Sequence, residues 1–367
     1  MVSGLGLGGA ERQVVLLSRE LVRNGHETSI YTLTRRVPRL DELAGSKVHA
    51  LTDSKRWRLD PGVVRRLRRH IVAWRPDIVH GFLYDGNVYA RLAACGTDVP
   101  VLNSERNDNY AVSLLQRMGY RLTSTLCDGV VANSHAGAQF ARRLHCMRED
   151  QVHVVWNGID LDEVDARLAR SAQPARSIFP EAGVKRLCLV GAIKPQKDYL
   201  LALRLMRRLI DEDPAWRLIC VGEELANGAP GYKKRVMDEH ARLGLAPFVK
   251  FLGHRRDVPE LIASSDLLLV TSLHEGFPNA VLEAMACGSA VVSTDYSDVR
   301  RILPSAEQVV ASRAEPELIQ AIRHCHERRS QLAMLQRRWV EQHATASASA
   351  ATLLNVYGGY LERLAIA

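Results

Sequence analysis

Apolar residues recur along this chain in two alternating rhythms. Val14, Val15, Leu17, Leu21 and Val22 share one face at helical spacing until Asn24 and Gly25 end the pattern, which predicts an amphipathic helix from Glu11. A compact apolar run at 29–33 predicts a strand. The succession continues with a strand at 75–82, a helix at 84–94, a strand at 99–104, a strand at 129–133, a helix through Leu144 and a strand at 152–156. After an Ala- and Arg-rich stretch at 165–180 it resumes: strand 187–191, helix 199–210, strand 218–221, helix 232–243, strand 249–251, a short helix and strand 266–270. Such alternation builds a parallel sheet wrapped by helices. A chain of 367 residues exceeds what one core usually holds. Two α/β domains are therefore expected, over 1–164 and 187–345, with a linker region at 165–186 and a closing helix at 346–367.

Within the second pattern, residues 274–288 read HEGFPNAVLEAMACG. Glu275 and Gly276 fall in a loop, Pro278 and Asn279 stand where a helix begins, with Asn279 suited to the N-cap, and Gly288 suits a left-handed C-cap. Backbone N–H groups at the positive end of a helix receive anions, most often phosphate. The carboxylates of Glu275 and Glu283 then remain to hold hydroxyls. The acid and base of a glycosidase stand roughly 5 to 9.5 Å apart, whereas eight helical residues climb about 12 Å, so the two glutamates are expected to have separate tasks. The segment EGFPN-x3-EAMACG resembles the E-x7-E signature of the retaining GT-B glycosyltransferases of family four, of the bacterial polysaccharide-biosynthesis type. That resemblance implies two Rossmann-like parallel-sheet domains facing across a cleft, the first binding acceptor and the second nucleotide sugar, with the C-terminal helix crossing back to the first. It also implies that Glu275 meets the transferred sugar, that the loop through Gly276, Phe277, Pro278 and Asn279 meets the diphosphate, and that Glu283 meets the ribose.

The run GAIKPQK at 191–197 resembles the family's phosphate loop, in which an arginine and a lysine neutralise the diphosphate. Lys197 matches. The arginine position holds Ala192, and Lys194 is the candidate to compensate. By the same resemblance His254 is a nucleobase contact, with an exposed loop histidine as the equal alternative. Near the start, Gly8 and Gly9 are similar to the family's glycine loop, where backbone approaches a ligand unobstructed. Only Met1 and Val2 precede the glycines, where family members carry several more strand residues, so the first strand is expected to be clipped or misassigned. Gly4, Gly6 and Gly9 also satisfy G-x-G-x-x-G, but a dinucleotide fingerprint needs a strand immediately before it.

Polar residues just past the carboxyl ends of strands are where open α/β sheets bind ligands. His80, Tyr84, Glu105 and Arg106, with Asn107 following, are acceptor-side candidates on that ground, a structural role being as common for each. Some family members carry a catalytic histidine after this strand, and here the place holds Ser104 or Glu105. The run Asn157, Gly158, Ile159, Asp160 resembles the family's turn at the end of the first domain. Asp160 with Asp162 and Asp211 with Asp213 spell D-x-D, yet one pair leads into the linker and the other precedes Pro214 at a polar helix end, so no metal is expected.

With 47% hydrophobic and 25% charged residues, the composition argues against disorder and collagen-like repeats. No apolar run approaches the roughly 20 residues of a bilayer span, and the basic-then-apolar layout of a signal peptide is absent from the start, which points to the cytoplasm. The seven cysteines are scattered and odd in number, as expected of reduced thiols packed as small hydrophobes. Of the net charge of +8, residues 1–160 carry 22 Lys and Arg against 16 Asp and Glu. The densest run holds Lys55, Arg56, Arg58, Arg65, Arg66, Arg68 and Arg69, interleaved with Trp57 and Leu67. It suits an anionic membrane surface, a phosphate-bearing acceptor or a plain solvated helix face. No nucleic-acid-binding signature accompanies it.

The expected activity is retaining transfer of a sugar from a nucleoside diphosphate donor, UDP favoured over GDP, to a hydroxyl of a glycan or lipid-linked saccharide. The setting would be cell-envelope, lipopolysaccharide or exopolysaccharide biosynthesis, in the cytoplasm or at the inner membrane face, with no cofactor. A glycosyl phosphorylase or hydrolase on the same scaffold is the alternative enzyme. Ala192 and the short start also keep open a catalytically idle nucleotide-sugar binder, and the glycine run alone would support a nicotinamide-dependent oxidoreductase.

Overall fold

The computed structural model describes residues 1–366 except 7, 36, 107–111, 171–173 and 225–228, and side chains as far as residue 363. Asn107 lies outside the described residues. The chain divides into two compact units, residues 1–158 with 344–367, and residues 159–343. Residues 165–186, expected as a linker, belong to the second unit and are partly helical.

The first unit contains α1 (Gly9–Arg23), β1 (Ser29–Thr32), β2 (His49–Thr52), α2 (Pro61–Trp74), β3 (Val79–Phe82), α3 (Leu83–Ala94), β4 (Val101–Glu105), α4 (Leu114–Leu122), β5 (Gly129–Ala132), α5 (His135–His145) and β6 (Val152–Val154). The later part of the basic run, from Arg65 to Arg69, falls on α2, started by the Asp60 carboxylate, which accepts from the Gly62 N–H at 2.9 Å, with Pro61 in the first turn. Arg75, placed in a strand by the sequence pattern, instead ends this helix in the left-handed region at φ 52°, and β3 begins four residues later. Strands β3, β4, β5 and β6 pair in that order, all parallel, while β1 and β2 form a separate parallel pair. Val2 joins the two groups: its N–H donates to Tyr31 at 3.0 Å, and it bridges both Thr32 and Phe82. Met1 and Val2 thus occupy the central strand position, and a cavity of about 620 Å³ opens beside them, lined in part by Ile30, Ile78, Phe82 and Leu353.

The second unit follows as α6 (Leu161–Leu168), α7 (Pro174–Ile178), β7 (Lys185–Val190), α8 (Tyr199–Glu212), β8 (Trp216–Val221), α9 (Tyr232–Arg242), β9 (Val249–Phe251), α10 (Val258–Ala263), β10 (Leu267–Val270), α11 (Asn279–Ala286), β11 (Ala290–Thr294), α12 (Val299–Ile302), β12 (Val309–Val310), α13 (Glu315–Glu327) and α14 (Arg329–His343). Its sheet has the order β12-β11-β10-β7-β8-β9, every pairing parallel. Central strands such as LLLV in β10 and AVVST in β11 are buried throughout, as strands covered on both faces must be. Five of the seven cysteines are buried, while Cys95 and Cys146 are exposed, so packing as small hydrophobes holds for most of them but not for those two.

The closing helix, α15 (Ala346–Ile366), packs within the first unit, where Ala350 and Leu353 join Leu17, Val131 and Val155. Ser349 Oγ on its first turn donates to the Trp156 carbonyl at 2.7 Å. The Gln13 side-chain amide pairs with both backbone groups of Gly158, at 2.8 and 3.0 Å, and Gly158 lies against the first turn of α15. Farther along, Tyr357 hydrogen-bonds His80 Nδ1 at 2.7 Å, while His80 Nε2 meets Ser104 Oγ at 2.9 Å. Among the described residues, no helix is long and apolar enough to cross a membrane.

A Cβ at Gly158 would lie 2.9 Å from Ala346 Cα and from the Thr345 carbonyl oxygen, whereas one at Gly358 meets nothing within 4 Å. Gly158→Ala is therefore expected to lower stability by about 1–3 kcal/mol, and Gly358→Ala, inside a helix, to raise it by about 0.5–1 kcal/mol, both read by denaturant melts. Burial, helped by the Arg106 charge, holds the His80 imidazole well below its ordinary 6.5. Above that pH neither folded nor unfolded chain protonates this site; below it only the unfolded chain does, so stability falls as the solution is acidified, by up to about 1.4 kcal/mol per pH unit. Melting temperatures at pH 7.5 and 5.5 should differ less in His80→Gln than in the parent chain.

Candidate functional site

Because β7 and β10 are parallel neighbours, the loops after their carboxyl ends emerge side by side, which is where open sheets of this kind bind ligands. The first loop spans 191–197 and the second 271–278. Lys197 Nζ lies 2.8 Å from Glu275 Oε1, with both side chains largely buried. Ser272 Oγ donates to the same Glu275 oxygen at 2.5 Å. Gly191 makes room for the lysine stem, since a Cβ there, at φ +156°, would lie 2.7 Å from Lys197 Cε.

The two loops are tied through their backbones. Thr271 Oγ1 donates to the Lys197 carbonyl at 2.8 Å, the Leu273 N–H to the Gln196 carbonyl at 2.8 Å, and Gln196 Nε2 to the His274 carbonyl at 2.6 Å. Arg313 reaches in from beyond β12, donating to the carbonyls of Ser272 and Thr271 and pairing with Asp198. Burial and the Glu275 carboxylate together hold the Tyr296 phenol far above its ordinary range.

Gly276, Phe277 and Pro278, at the end of the second loop, are buried. Asn279, expected as the N-cap of α11, is its first helical residue instead. Pro278 takes the cap position, and no side chain caps the helix. The helix ends as anticipated: Gly288 is left-handed at φ +67°, its N–H donates to Met285, and Ser289 N–H donates to Ala284, a Schellman closure. Glu283 is half-buried on α11, and after burial it is the largest influence raising the Cys287 thiol to about 12. Lys194 and Ala192 sit half-buried in the first loop. His254 is exposed, and its backbone N–H donates to Glu223 Oε1 at 3.1 Å, so Glu223 is the charged group held against this turn.

In the first unit Gly8 is the N-cap of α1, without a side-chain cap, and Gly9 is the first helical residue. The Glu11 carboxylate lies so close that a Cβ on Gly8 would stand 2.4 Å from its Oε2. Tyr84 packs edge-on against Tyr120, with ring centres 5.0 Å apart. Glu105 is buried and meets His145 Nε2 at 3.2 Å. The other ring nitrogen faces Arg91 at 2.5 Å, and Arg91 also donates to Asn103, Thr123 and the Tyr120 carbonyl. Glu105 thus braces the end of β4 from within. Arg106 is buried over the Phe82 ring and donates to Asn157 Oδ1 at 2.8 Å. Its Nε has no partner, and burial lowers the guanidinium to about 10.

Sequence reasoning missed Ser272, Gln196, Tyr296 and Arg313 in the second unit and Tyr357 in the first. Arg313 and Asp198 are 115 positions apart, so no local spacing signals their contact. The serine at 272, three residues before Glu275, was the one legible hint.

Residues 7–163 match the family model described as Glycosyltransferase Family 4, and residues 184–328 the model described as Glycosyl transferases group 1. A D-inositol 3-phosphate glycosyltransferase of Catenulispora acidiphila is 27% identical over 320 residues, covering 78% of this chain and 74% of its own. Among solved structures, a glycosyltransferase from Rickettsia africae is similar at a TM-score of 0.81 with 18% identity, covering 98% of this chain and 97% of that one. Anabaena HepE in complex with UDP and glucose is similar at 0.79 with 19% identity, covering 96% of each chain. Two parallel-sheet units, matched one by each half of the family description, therefore make this chain a GT-B glycosyltransferase of family four, the group 1 glycosyltransferases.

Proposed function

We propose that this enzyme transfers a sugar from a nucleoside diphosphate sugar to an acceptor hydroxyl with retention of anomeric configuration and without a metal ion. The observation that carries this reading is the Lys197–Glu275 pair beside the uncapped start of α11. Expelling a diphosphate leaves oxocarbenium character on the sugar and negative charge on the leaving phosphates. Preorganised donors aimed at that developing charge supply the largest share of such catalysis. Lys197 is one donor, and the first-turn N–H groups of α11 are others. Phosphate oxygens would compete with Glu275 for the ammonium, and the carboxylate so released can accept hydrogen bonds from the sugar hydroxyls. Glu283, on the same helix, is assigned to the ribose. Arg313 and Lys194 add positive charge near a loop whose arginine position holds Ala192.

UDP is the favoured nucleotide, as in the HepE complex, with GDP next. No step of this scheme calls for a metal, and three of the four aspartates in the two D-x-D runs have other work: Asp160 caps α6, Asp211 pairs with Arg207, and Asp213 with Lys185. The acceptor we favour is a lipid-linked or growing envelope saccharide, met at the inner membrane face. An inositol phosphate is the second reading, because the Catenulispora relative is named for one and the buried Arg106 has a donor to offer an anion.

The test is Lys197→Ala and Glu275→Ala assayed against a panel of UDP- and GDP-sugars. Each is expected to lower kcat by roughly 10²–10³-fold, and near-parental turnover on the right donor by either variant would remove its assigned role. NMR of the product should show the donor's anomeric configuration kept.

A further inference from the structure

The helix α4 presents its apolar stripe to solvent. Leu114, Leu115, Met118 and Leu122 are 80, 63, 56 and 78% exposed, and at 100° per residue they share a band about 100° wide. Tyr120, on the opposite side, is its one buried residue. The helix stands on its own cap: Ser113 Oγ accepts from the Gln116 N–H, and Gln116 Oε1 from the Ser113 N–H. Its sequence therefore encodes an apolar face that the core does not use. Burial on that scale left open in a folded unit marks an interaction surface.

A second exposed group adjoins it. Trp57 and Leu59 are 67 and 50% exposed on the loop before α2. That loop is tethered by the Lys55–Asp85 ion pair, one residue from Tyr84, and the charge of Arg58 is felt at the Tyr84 phenol. Tyr84 in turn rests on α4, its hydroxyl against Gly119. The nearby acids are spoken for: Asp85 by Lys55, Asp53 by Arg66, and Asp60 as the cap of α2. Arg56, Arg58, Arg117 and Arg121 are exposed, and no ion pair is seen for them among the described residues. Two of the four arginines on α2 have other partners, since Arg66 binds Asp53 and Arg68 binds the carbonyls of Ala93 and Cys95.

We infer that α4 and the Trp57 loop form one docking surface for an anionic lipid bilayer, with the leucines and Trp57 entering the acyl boundary and the four arginines meeting the headgroups. An apolar stripe edged by unpaired cations is the arrangement that binds in the plane of a membrane. A protein partner of matching acidity would need its own apolar ridge, whereas a bilayer supplies both layers without shape complementarity. The inference deepens the reading of a lipid-linked acceptor and rests on it, but vesicle binding is read without turnover, so failure of docking and failure of transfer are told apart.

The experiment is co-sedimentation of the whole chain with vesicles of phosphatidylcholine alone or with 40% phosphatidylglycerol, a composition chosen on the order of natural anionic content. Binding is expected to the anionic vesicles, to weaken as salt rises, and to fall at least about tenfold in Leu114→Ser/Leu115→Ser/Leu122→Ser and in Arg117→Gln/Arg121→Gln. Trp57→Phe should remove a blue shift of fluorescence seen on binding. Melting temperature and transfer to a water-soluble acceptor should stay at the parental level in all three. No binding to anionic vesicles, or binding that the leucine variant leaves intact, would overturn the inference. So would self-association without lipid that the leucine variant abolishes, since the stripe would then be a contact between copies.

Discussion

A lysine ammonium and a glutamate carboxylate, 2.8 Å apart with little water around either, set the terms for the second unit. Neither could be buried alone, because an isolated ion leaves water only at a cost of several kcal/mol. Each needs the other, and the loops carrying them must stay together. This explains why so much hydrogen bonding is spent on the loops themselves: Thr271 on the Lys197 carbonyl, Gln196 on His274, and Arg313 on two successive carbonyls. The strand order supplies the proximity, since only adjacent parallel strands deliver two loops to one place on the same edge.

The first unit handles buried charge in two contrasting ways. Arg91, fully enclosed, has its donors met by Asn103, Thr123, a carbonyl and His145, and reaches Glu105 through that imidazole. Arg106, fifteen positions on and equally hidden, has one side-chain acceptor, one aromatic face and a bare Nε. A satisfied network stiffens a fold, whereas a half-satisfied one leaves a polar group in search of a partner. The contrast separates two neighbours that looked alike as candidates, Glu105 drawn into the network around Arg91 and Arg106 left with an unpartnered Nε.

Much of this was legible in the residues. Alternating apolar runs gave the parallel sheets, because buried strands and one-faced helices differ in period, and the 274–288 segment gave a loop, a helix and its glycine stop. What escaped was of two kinds. Local chemistry misjudged the start of α11, where Pro278 rather than Asn279 takes the cap because the chain turns tightly after the buried Phe277, and the boundary at 164/165, where LDEVDARL runs across it as one helix that packs on α10. Contacts between distant positions escaped entirely: Arg313 with Asp198, Tyr357 with His80, and Gln13 with Gly158 are each set by the sheet's topology, which no spacing along the chain records.

The packing of α15 has a consequence for the order in which the molecule is completed. The second unit is one unbroken stretch, while the first takes Ala350, Leu353 and Tyr357 into its interior from a segment that follows the second unit in sequence. During synthesis the unit begun first must therefore wait, its flank open along Leu17 and Val131, until the α15 segment has left the ribosome, by which time the unit begun second already has every strand it needs.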